Sequence, residues 1–257
     1  MKRPVLRWFG GKFRLAPWII GHMPKHRVYV EPFGGAASVL LQKPRSYAEI
    51  YNDLDDSLWC LFSVLKQEDT AKKLKAAITA TPYSRREFEL AHVYHPDMVE
   101  SARRLIVRSF MGFGADSASR PESKTGFRSN SNRSGTTPAH DWINYPKEID
   151  AFCDRLRGVV IDHKPAIDVM KEHDSPETLF YVDPPYPHST RRGGRYRHEM
   201  SGGDHDILLQ KLSELKGKVM LSGYSEERYE QLGWRKEEKL ARADGAGLRT
   251  ECLWMNF

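Results

Sequence analysis

Val28-Tyr29-Val30-Glu31-Pro32-Phe33-Gly34-Gly35-Ala36-Ala37-Ser38, continuing into Val39-Leu40-Leu41, decides the fold. A β-branched and aromatic run that ends at a proline and two glycines predicts a strand and a glycine turn, and the apolar residues after Ser38 predict a helix. The pattern then repeats. Ala48-Glu49-Ile50-Tyr51 predicts a second strand ending at Asn52-Asp53, with Leu58, Leu61, Phe62 and Leu65 on an amphipathic helix behind it. Two strand-then-helix units in succession argue for a parallel sheet. Working outward, Ala71 to Arg108 carries helical spacing (Leu74, Ala77, Ile78, Phe88, Leu90, Leu105, Ile106) and no strand signal. Phe110 to Asn144 is rich in Gly, Ser, Thr, Asn and Arg, which predicts a long exposed loop or hairpin. The sheet resumes at Gly158-Val159-Val160-Ile161, at Leu179-Phe180-Tyr181-Val182 and at Lys218-Val219-Met220-Leu221-Ser222, and ends with a strand in Leu248 to Phe257. Asp204 to Leu215 reads as a helix with its N-cap at Gly203 or Asp204. The fold class is α/β, a doubly wound sheet interrupted by an insertion.

Composition limits the function. At 257 residues and 40% hydrophobic, the chain can bury a sizeable core in one large domain or a domain with an insertion. No apolar run approaches a membrane span, and Met1-Lys2-Arg3-Pro4 leads into Trp8-Phe9-Gly10-Gly11-Lys12 rather than an apolar signal region, so a soluble, cytoplasmic protein is expected. Cys60, Cys153 and Cys252 lie far apart with no CxxC pair, which predicts reduced, buried thiols and no zinc site. His92 and His95 have no accompanying ligand set, so no metal is expected. The net charge of +6 is uneven: Arg103 to Arg133 carries seven basic residues against Asp116 and Glu122. A second cluster, Arg191, Arg192, Arg195 and Arg197, is interleaved with Gly193, Gly194 and Tyr196. Basic residues in Gly- and Ser-rich loops suit a polyanion.

Asp183-Pro184-Pro185-Tyr186 follows the fourth predicted strand. The prolines lack N–H groups and fix φ, so the chain leaves the sheet with its carbonyls free to accept hydrogen bonds. The tetrapeptide is either a rigid acceptor cradle for a flat, amino-bearing ring or a strand followed by a tight turn. In a doubly wound sheet the ligand crevice lies beyond the carboxyl ends of the strands, where Glu31 to Gly35, Asn52-Asp53 and Asp183 to Tyr186 should converge. The glycines allow close backbone approach, and an acidic residue after the second strand can accept both ribose hydroxyls. Glu31 repels phosphate, which disfavours a dinucleotide, and Gly10-Gly11-Lys12-Phe13 is not a P-loop. A cofactor with a ribose and a positive charge fits better.

Trp8-Phe9-Gly10-Gly11-Lys12, Glu31-Pro32-Phe33-Gly34-Gly35, Asn52-Asp53 and Asp183-Pro184-Pro185-Tyr186, in that order and spacing, resemble the Dam-type (D12 class, alpha group) S-adenosylmethionine-dependent DNA adenine-N6 methyltransferases. The resemblance spans almost the whole chain. It implies a Rossmann-like methyltransferase sheet from residues 1–56 and 146–257, with residues 57–145 inserted as a mainly helical target-recognition domain carrying the basic loop or hairpin. It places Trp8, Gly11, Lys12, Glu31, Phe33, Gly34, Gly35, Asp53 and Asp183 at S-adenosylmethionine, with Trp8 and Lys12 closing over it, Asp53 on the ribose and Glu31 toward the methionyl side. It makes Arg120, Lys124, Arg128 and Arg133 in the basic loop candidates for contacts with double-stranded DNA, beside Arg191 and Arg192 after the cradle. The chain departs from the family's usual form at Asp162-His163-Lys164-Pro165, where an acidic residue often sits nearer the proline.

The implied catalytic set is Asp183, Pro184, Pro185 and Tyr186. Adenine N6 is a poor nucleophile because its lone pair is delocalised. Asp183 and the Pro184 carbonyl would accept its two N–H bonds and favour pyramidalisation before in-line attack on the sulfonium methyl, leaving S-adenosylhomocysteine. The base must leave the duplex, and Tyr186 would stack on it. Cytosine-N4 or RNA-adenine methylation could use the same cradle, and a catalytically inactive DNA-binding relative could keep the fold. A monomer is expected, GATC stands as the recognition sequence by analogy alone, and a restriction-modification, phage or orphan setting is left open.

Overall fold

The computed structural model describes residues 1–119, 125–131, 135–191, 196–242 and 247–257. The chain divides into two compact units, one of Met1–Gly11 with Asp56–Arg157 and one of Lys12–Asp55 with Gly158–Phe257. Residues 1–11 and 146–157 thus pack with the inserted segment rather than with the sheet.

The sheet unit contains β1 (Val28–Glu31), β2 (Ala48–Asn52), β3 (Val159–Asp162), β4 (Thr178–Val182), β5 (Lys218–Tyr224), β6 (Arg235–Arg242) and β7 (Leu248–Met255). Their order across the sheet is β3-β2-β1-β4-β5-β7-β6. The first five strands pair in parallel, and β7 runs antiparallel to both neighbours. This is the expected doubly wound α/β fold, with one strand the periodicity did not predict. Arg235-Lys236-Glu237-Glu238-Lys239 of β6 reads as a polar surface run, yet it forms the sheet's edge, where charges guard unpaired backbone groups.

Alternation divides the sheet into two unlike faces. Val30, Ile50, Phe180, Val182, Val219, Leu221, Cys252 and Trp254 point to one side and pack in a single apolar cluster with Val169 and Met170 of the Ala166–Glu172 helix and Leu208, Leu209 and Leu212 of the Gly202–Glu214 helix. The register puts Tyr29, Glu31, Glu49, Tyr51, Tyr181, Ser222 and Glu251 on the opposite side, all of them buried. Lys43 is buried on that side too, paired with Glu49 at 2.7 Å and lying 4.4 Å from the centre of the Tyr29 ring. Burying charge at such density requires the pairing observed, since an uncompensated ion inside a protein is costly.

Two local expectations are corrected. Residues 33–43 form successive turns and no helix. The Leu40 N–H donates to Glu31 Oε1 at 2.7 Å and Ala37 takes a positive φ of 52°, so the single-turn bonds from Leu41 to the Ala37 carbonyl and from Lys43 to the Val39 carbonyl do not extend into a regular helix. The Gly202–Glu214 helix is capped by Ser201, not Gly203 or Asp204: Ser201 Oγ accepts from Asp204 N–H and the Asp204 carboxylate accepts from Ser201 N–H.

The other unit is mainly helical, with helices Asp56–Lys66, Glu68–Ala80, Arg85–Leu90, Met98–Met111, Asp116–Ser119, Pro138–Asn144 and Ile149–Leu156. The expected loop or hairpin is present as a hairpin base, where Gly112 and Phe127 bridge in antiparallel fashion, Phe113 N–H donates to the Gly126 carbonyl and Arg128 N–H to the Met111 carbonyl. Of the cysteines, Cys252 is buried, whereas Cys60 and Cys153 are only partly so, which corrects the expectation of three buried thiols; all three are free. Among the described residues, no helix is long and apolar enough to cross a membrane.

Candidate active site

Strand order points to the candidate site. From β1 the chain steps outward to β2 and β3, then returns to β4 on the other side of β1 and steps outward to β5. The switch point is therefore between β1 and β4, whose carboxyl ends carry Glu31 and Asp183.

The glycine turn is held against the end of β2. Gly34 N–H donates to the Asn52 carbonyl at 2.7 Å, Gly35 N–H to Asp53 Oδ2 at 2.8 Å, and Tyr51 Oη to the Gly35 carbonyl at 2.7 Å. A Cβ on Gly34 would lie 2.2 Å from the Tyr51 ring, so the backbone approaches as closely as glycine permits. Asp53 Oδ1 accepts from Asp55 N–H at 2.9 Å, and each Asp53 oxygen keeps a second lone pair. Burial pushes the Asp53 carboxyl up to about 6 against the pull of these two N–H groups. Phe33 is half-buried and packs on the apolar cluster. Glu31 is 2% exposed and accepts through Oε1 from Tyr29 Oη at 2.6 Å as well as from Leu40. Burial pushes its carboxyl up to about 7, against the lowering effect of those bonds.

Lys12 and Asp183 meet at 3.1 Å, with side chains 5% and 16% exposed. Burial works to lower the Lys12 pKa, but the Asp183 and Glu251 carboxylates overcome it and raise it, so the ammonium is retained. Burial raises the Asp183 carboxyl against the pull of Lys12 and of the nearby Tyr186 and Ser222 hydroxyls. Asp183 Oδ2 is taken by Lys12, whereas Oδ1 is buried without a hydrogen-bond partner. An orphaned, buried acceptor at a strand end is an anomaly in a folded protein and marks a place for a donor. Pro184 is buried and Pro185 half-buried beside it. Tyr186 is 3% exposed, with Lys12 Nζ 4.6 Å from its ring centre and the Tyr224 ring edge-on at 4.9 Å.

The Arg-rich segment after the cradle is tied down at its described residues. Arg191 is forked onto Glu199 at 2.7 and 3.2 Å with its side chain 4% exposed, and Arg197 pairs with the buried Asp55 at 3.3 Å. Arg191 can reach a phosphate only by giving up that pair. Arg192, Arg120, Lys124 and Arg133 lie outside the described residues. Arg128 Nη1 donates to the Phe110 carbonyl at 3.3 Å and its own carbonyl accepts from Tyr83 Oη, so it braces the hairpin base. In the basic window, Arg103 and Arg104 are paired with Glu100, and Arg108 is buried against the Ala91 carbonyl. Trp8 and Gly11 fall in the helical unit, where Gly11 N–H donates to the Trp8 carbonyl at 3.0 Å. Asp162, at the end of β3, is paired with Lys164 at 3.0 Å.

Sequence reasoning missed Glu251 and Ser222, which bind the Tyr186 hydroxyl, and Tyr196, which shares the field of Lys12 and Asp183. The available signal was a carboxylate at an inward position of a strand that otherwise alternates toward an apolar core. Among the described residues, no group of three or more His, Cys, Asp or Glu side chains is placed to hold a metal ion.

Over residues 64 long, the chain is 41% identical to proteins named DNA adenine methylase from Escherichia coli (strain K12) and Salmonella typhi, covering 25% of this chain and 23% of each relative. A DNA adenine methylase from Vibrio cholerae serotype O1 (strain ATCC 39315 / El Tor Inaba N16961) is 37% identical over 70 residues, 27% of this chain and 25% of that protein. The matched stretch thus spans about a quarter of these relatives. The family match is far longer, running from residue 8 to residue 240, and with the switch-point acceptors in place it shows that the chain belongs to the D12 class N6 adenine-specific DNA methyltransferases.

Proposed function

We propose that this protein transfers a methyl group from S-adenosylmethionine to the N6 amino group of an adenine extruded from double-stranded DNA, at a specific site. The observation that carries this reading is the orphaned Oδ1 of Asp183, buried at the switch point with its partner oxygen held by Lys12. The residues present suit the cofactor. Asp53, oriented by the Gly35 N–H, has a free lone pair on each oxygen for a ribose hydroxyl, and Glu31 offers a carboxylate where a phosphate would be repelled and a cation attracted. When bound, S-adenosylmethionine supplies an electrophilic sulfonium methyl.

The chain's own groups do the rest. Asp183 Oδ1 and the Pro184 carbonyl accept the two N6–H bonds, which localises the nitrogen lone pair for attack. Lys12 opposes the effect of burial on Asp183 and so favours the carboxylate that accepts a hydrogen bond over the acid that donates one. Tyr186 supplies the aromatic surface beside the acceptor. Extruding the base costs a few kcal/mol, which stacking and phosphate contacts must offset. Residues 57–145, with the hairpin and its basic residues, are assigned to target recognition.

Incubating the purified protein with mixed-sequence DNA and methyl-labelled S-adenosylmethionine, then mapping the modified bases, tests the reading. N6-methyladenine at one recurring sequence is expected. N4-methylcytosine, label entering RNA alone, or no transfer at all would overturn it.

A further inference from the structure

The polar face of the sheet holds a carboxylate that the reaction described above does not use. Glu251 lies on β7, directly across from Tyr224 of β5, and is 8% exposed. A position this buried in a strand ordinarily takes an apolar side chain, because an ionised carboxylate must recover its lost hydration from partners. Its partners belong to the cradle. Tyr186 Oη donates to Glu251 Oε2 at 3.0 Å, while Ser222 Oγ lies within hydrogen-bond distance of the same hydroxyl at 3.1 Å. The Lys12 ammonium, over the Tyr186 ring and against Asp183, is held in its charged form by both carboxylates. Four chain segments are therefore joined through one hydroxyl and one ammonium: the turn at Lys12, the loop after β4, and strands β5 and β7.

Each link removes a freedom the reaction cannot tolerate. Tyr186 has its hydroxyl pinned at the far end, so its ring cannot swing about χ1. Lys12, drawn between two carboxylates, stays on Asp183 Oδ2 and leaves Oδ1 as the open acceptor. We propose that Glu251 is a positioning residue for methyl transfer: by anchoring the Tyr186 hydroxyl and sharing Lys12 with Asp183, it fixes the ring and the acceptor that meet the target base. This rests on the adenine methyltransferase reading given above.

The test is a double-mutant cycle with Glu251→Gln and Tyr186→Phe, each assayed for labelled methyl transfer to adenine-containing duplex DNA, with Glu251→Leu as a third variant. A hydrogen bond to a charged group corresponds to a kcat loss of about ten- to a hundredfold in each single variant. KM for DNA and for S-adenosylmethionine should stay within about threefold, since the loss falls on the transition state and not on binding. Because the two residues act through one bond, the double variant should be no slower than the slower single. Glu251→Leu leaves Lys12 its pair with Asp183 but strips the Tyr186 hydroxyl of its acceptor, so its thermal midpoint should fall, and the folded variant should be as slow as Glu251→Gln. Wild-type turnover in Glu251→Leu, or losses that multiply in the double variant, would overturn the proposal. The Tyr186 hydroxyl proton gives a second readout by NMR, being slowed against exchange in the wild type and lost in Glu251→Leu. A wild-type protein that shows this proton but methylates no adenine rejects the reaction reading alone. Variants that lose the proton but keep their turnover reject the role of Glu251 alone.

Discussion

Asp183 separates the cradle from an ordinary turn. A turn aspartate spends its oxygens on neighbouring backbone N–H groups, whereas this one gives Oδ2 to Lys12 and leaves Oδ1 buried and empty. Asp183→Asn keeps the shape but offers an amide that cannot hold Lys12 by charge and presents donors where an acceptor is needed. Methyl transfer measured with labelled cofactor should fall by more than about a hundredfold, on the scale of losing a preorganised polar group in a reaction site. DNA affinity, measured by fluorescence anisotropy, should stay within about threefold; retained turnover would remove Asp183 from the chemistry. The residues proposed for the cradle stand out in the sequence because proline and aspartate carry their meaning locally. Glu251 showed only as the lone carboxylate of its strand, and its meeting with the cradle depends on the β5–β7 register, which no local pattern states. Arg191, a candidate for contact with DNA, is forked onto Glu199, a pairing across a loop that spacing alone does not reveal.

At the scale of elements, the segment between β1 and β2 repays comparison with its sequence. Val39-Leu40-Leu41 has helical composition, but Glu31 reaches over to take the Leu40 N–H, so a buried side chain overrides local propensity. Edge strand β6 was missed for the opposite reason, its charges being the means by which an exposed edge avoids pairing with another chain. The strands of the buried sheet were found because each is a continuous β-branched or aromatic run. The turn at Gly34 can be tested directly. Gly34→Ala puts a methyl 2.2 Å from the Tyr51 ring, and Tyr51 cannot retreat without releasing its bond to the Gly35 carbonyl. Overpacking of this kind costs about 1–3 kcal/mol, so the thermal midpoint should drop by several degrees. Calorimetric titration should also show weakened S-adenosylmethionine binding, because Gly35 carries the N–H that orients Asp53. Unchanged cofactor affinity would mean that the turn does not form the binding surface.

Across the whole molecule, the described residues of the sheet unit include four carboxyl groups whose pKa values are raised by burial: Glu31 to about 7, Asp53 to about 6, and Asp183 and Glu251 in the same direction. A raised carboxyl contributes stability that is fully present below its unfolded pKa and is lost as pH rises through its folded value. For Glu31 that window runs from 4.5 to about 7, and for Asp53 from 3.8 to about 6. Each shift corresponds to roughly 3 kcal/mol once the whole window is crossed. Glu100 of the helical unit, held down at about 2 by Arg103 and Arg104, has the opposite slope, but it acts only below its ordinary value of 4.5. The ligand-free protein should therefore unfold at a higher temperature at pH 5.5 than at pH 8, and Glu31→Gln, which keeps an oxygen for Tyr29 and Leu40, should reduce that difference. A cationic ligand reverses the balance. Carboxylates that repel one another in the empty site at pH 8 become counter-charges once the sulfonium and ammonium of S-adenosylmethionine are bound, so the rise in midpoint at a fixed ligand excess should be larger at pH 8 than at pH 5.5. Adenosine, with the same ribose and no positive charge, should give a rise that does not grow with pH. Differential scanning fluorimetry with both ligands at the two pH values measures all four quantities, and a rise independent of pH for S-adenosylmethionine would show that the acidic face of the sheet does not recognise the cofactor's charge.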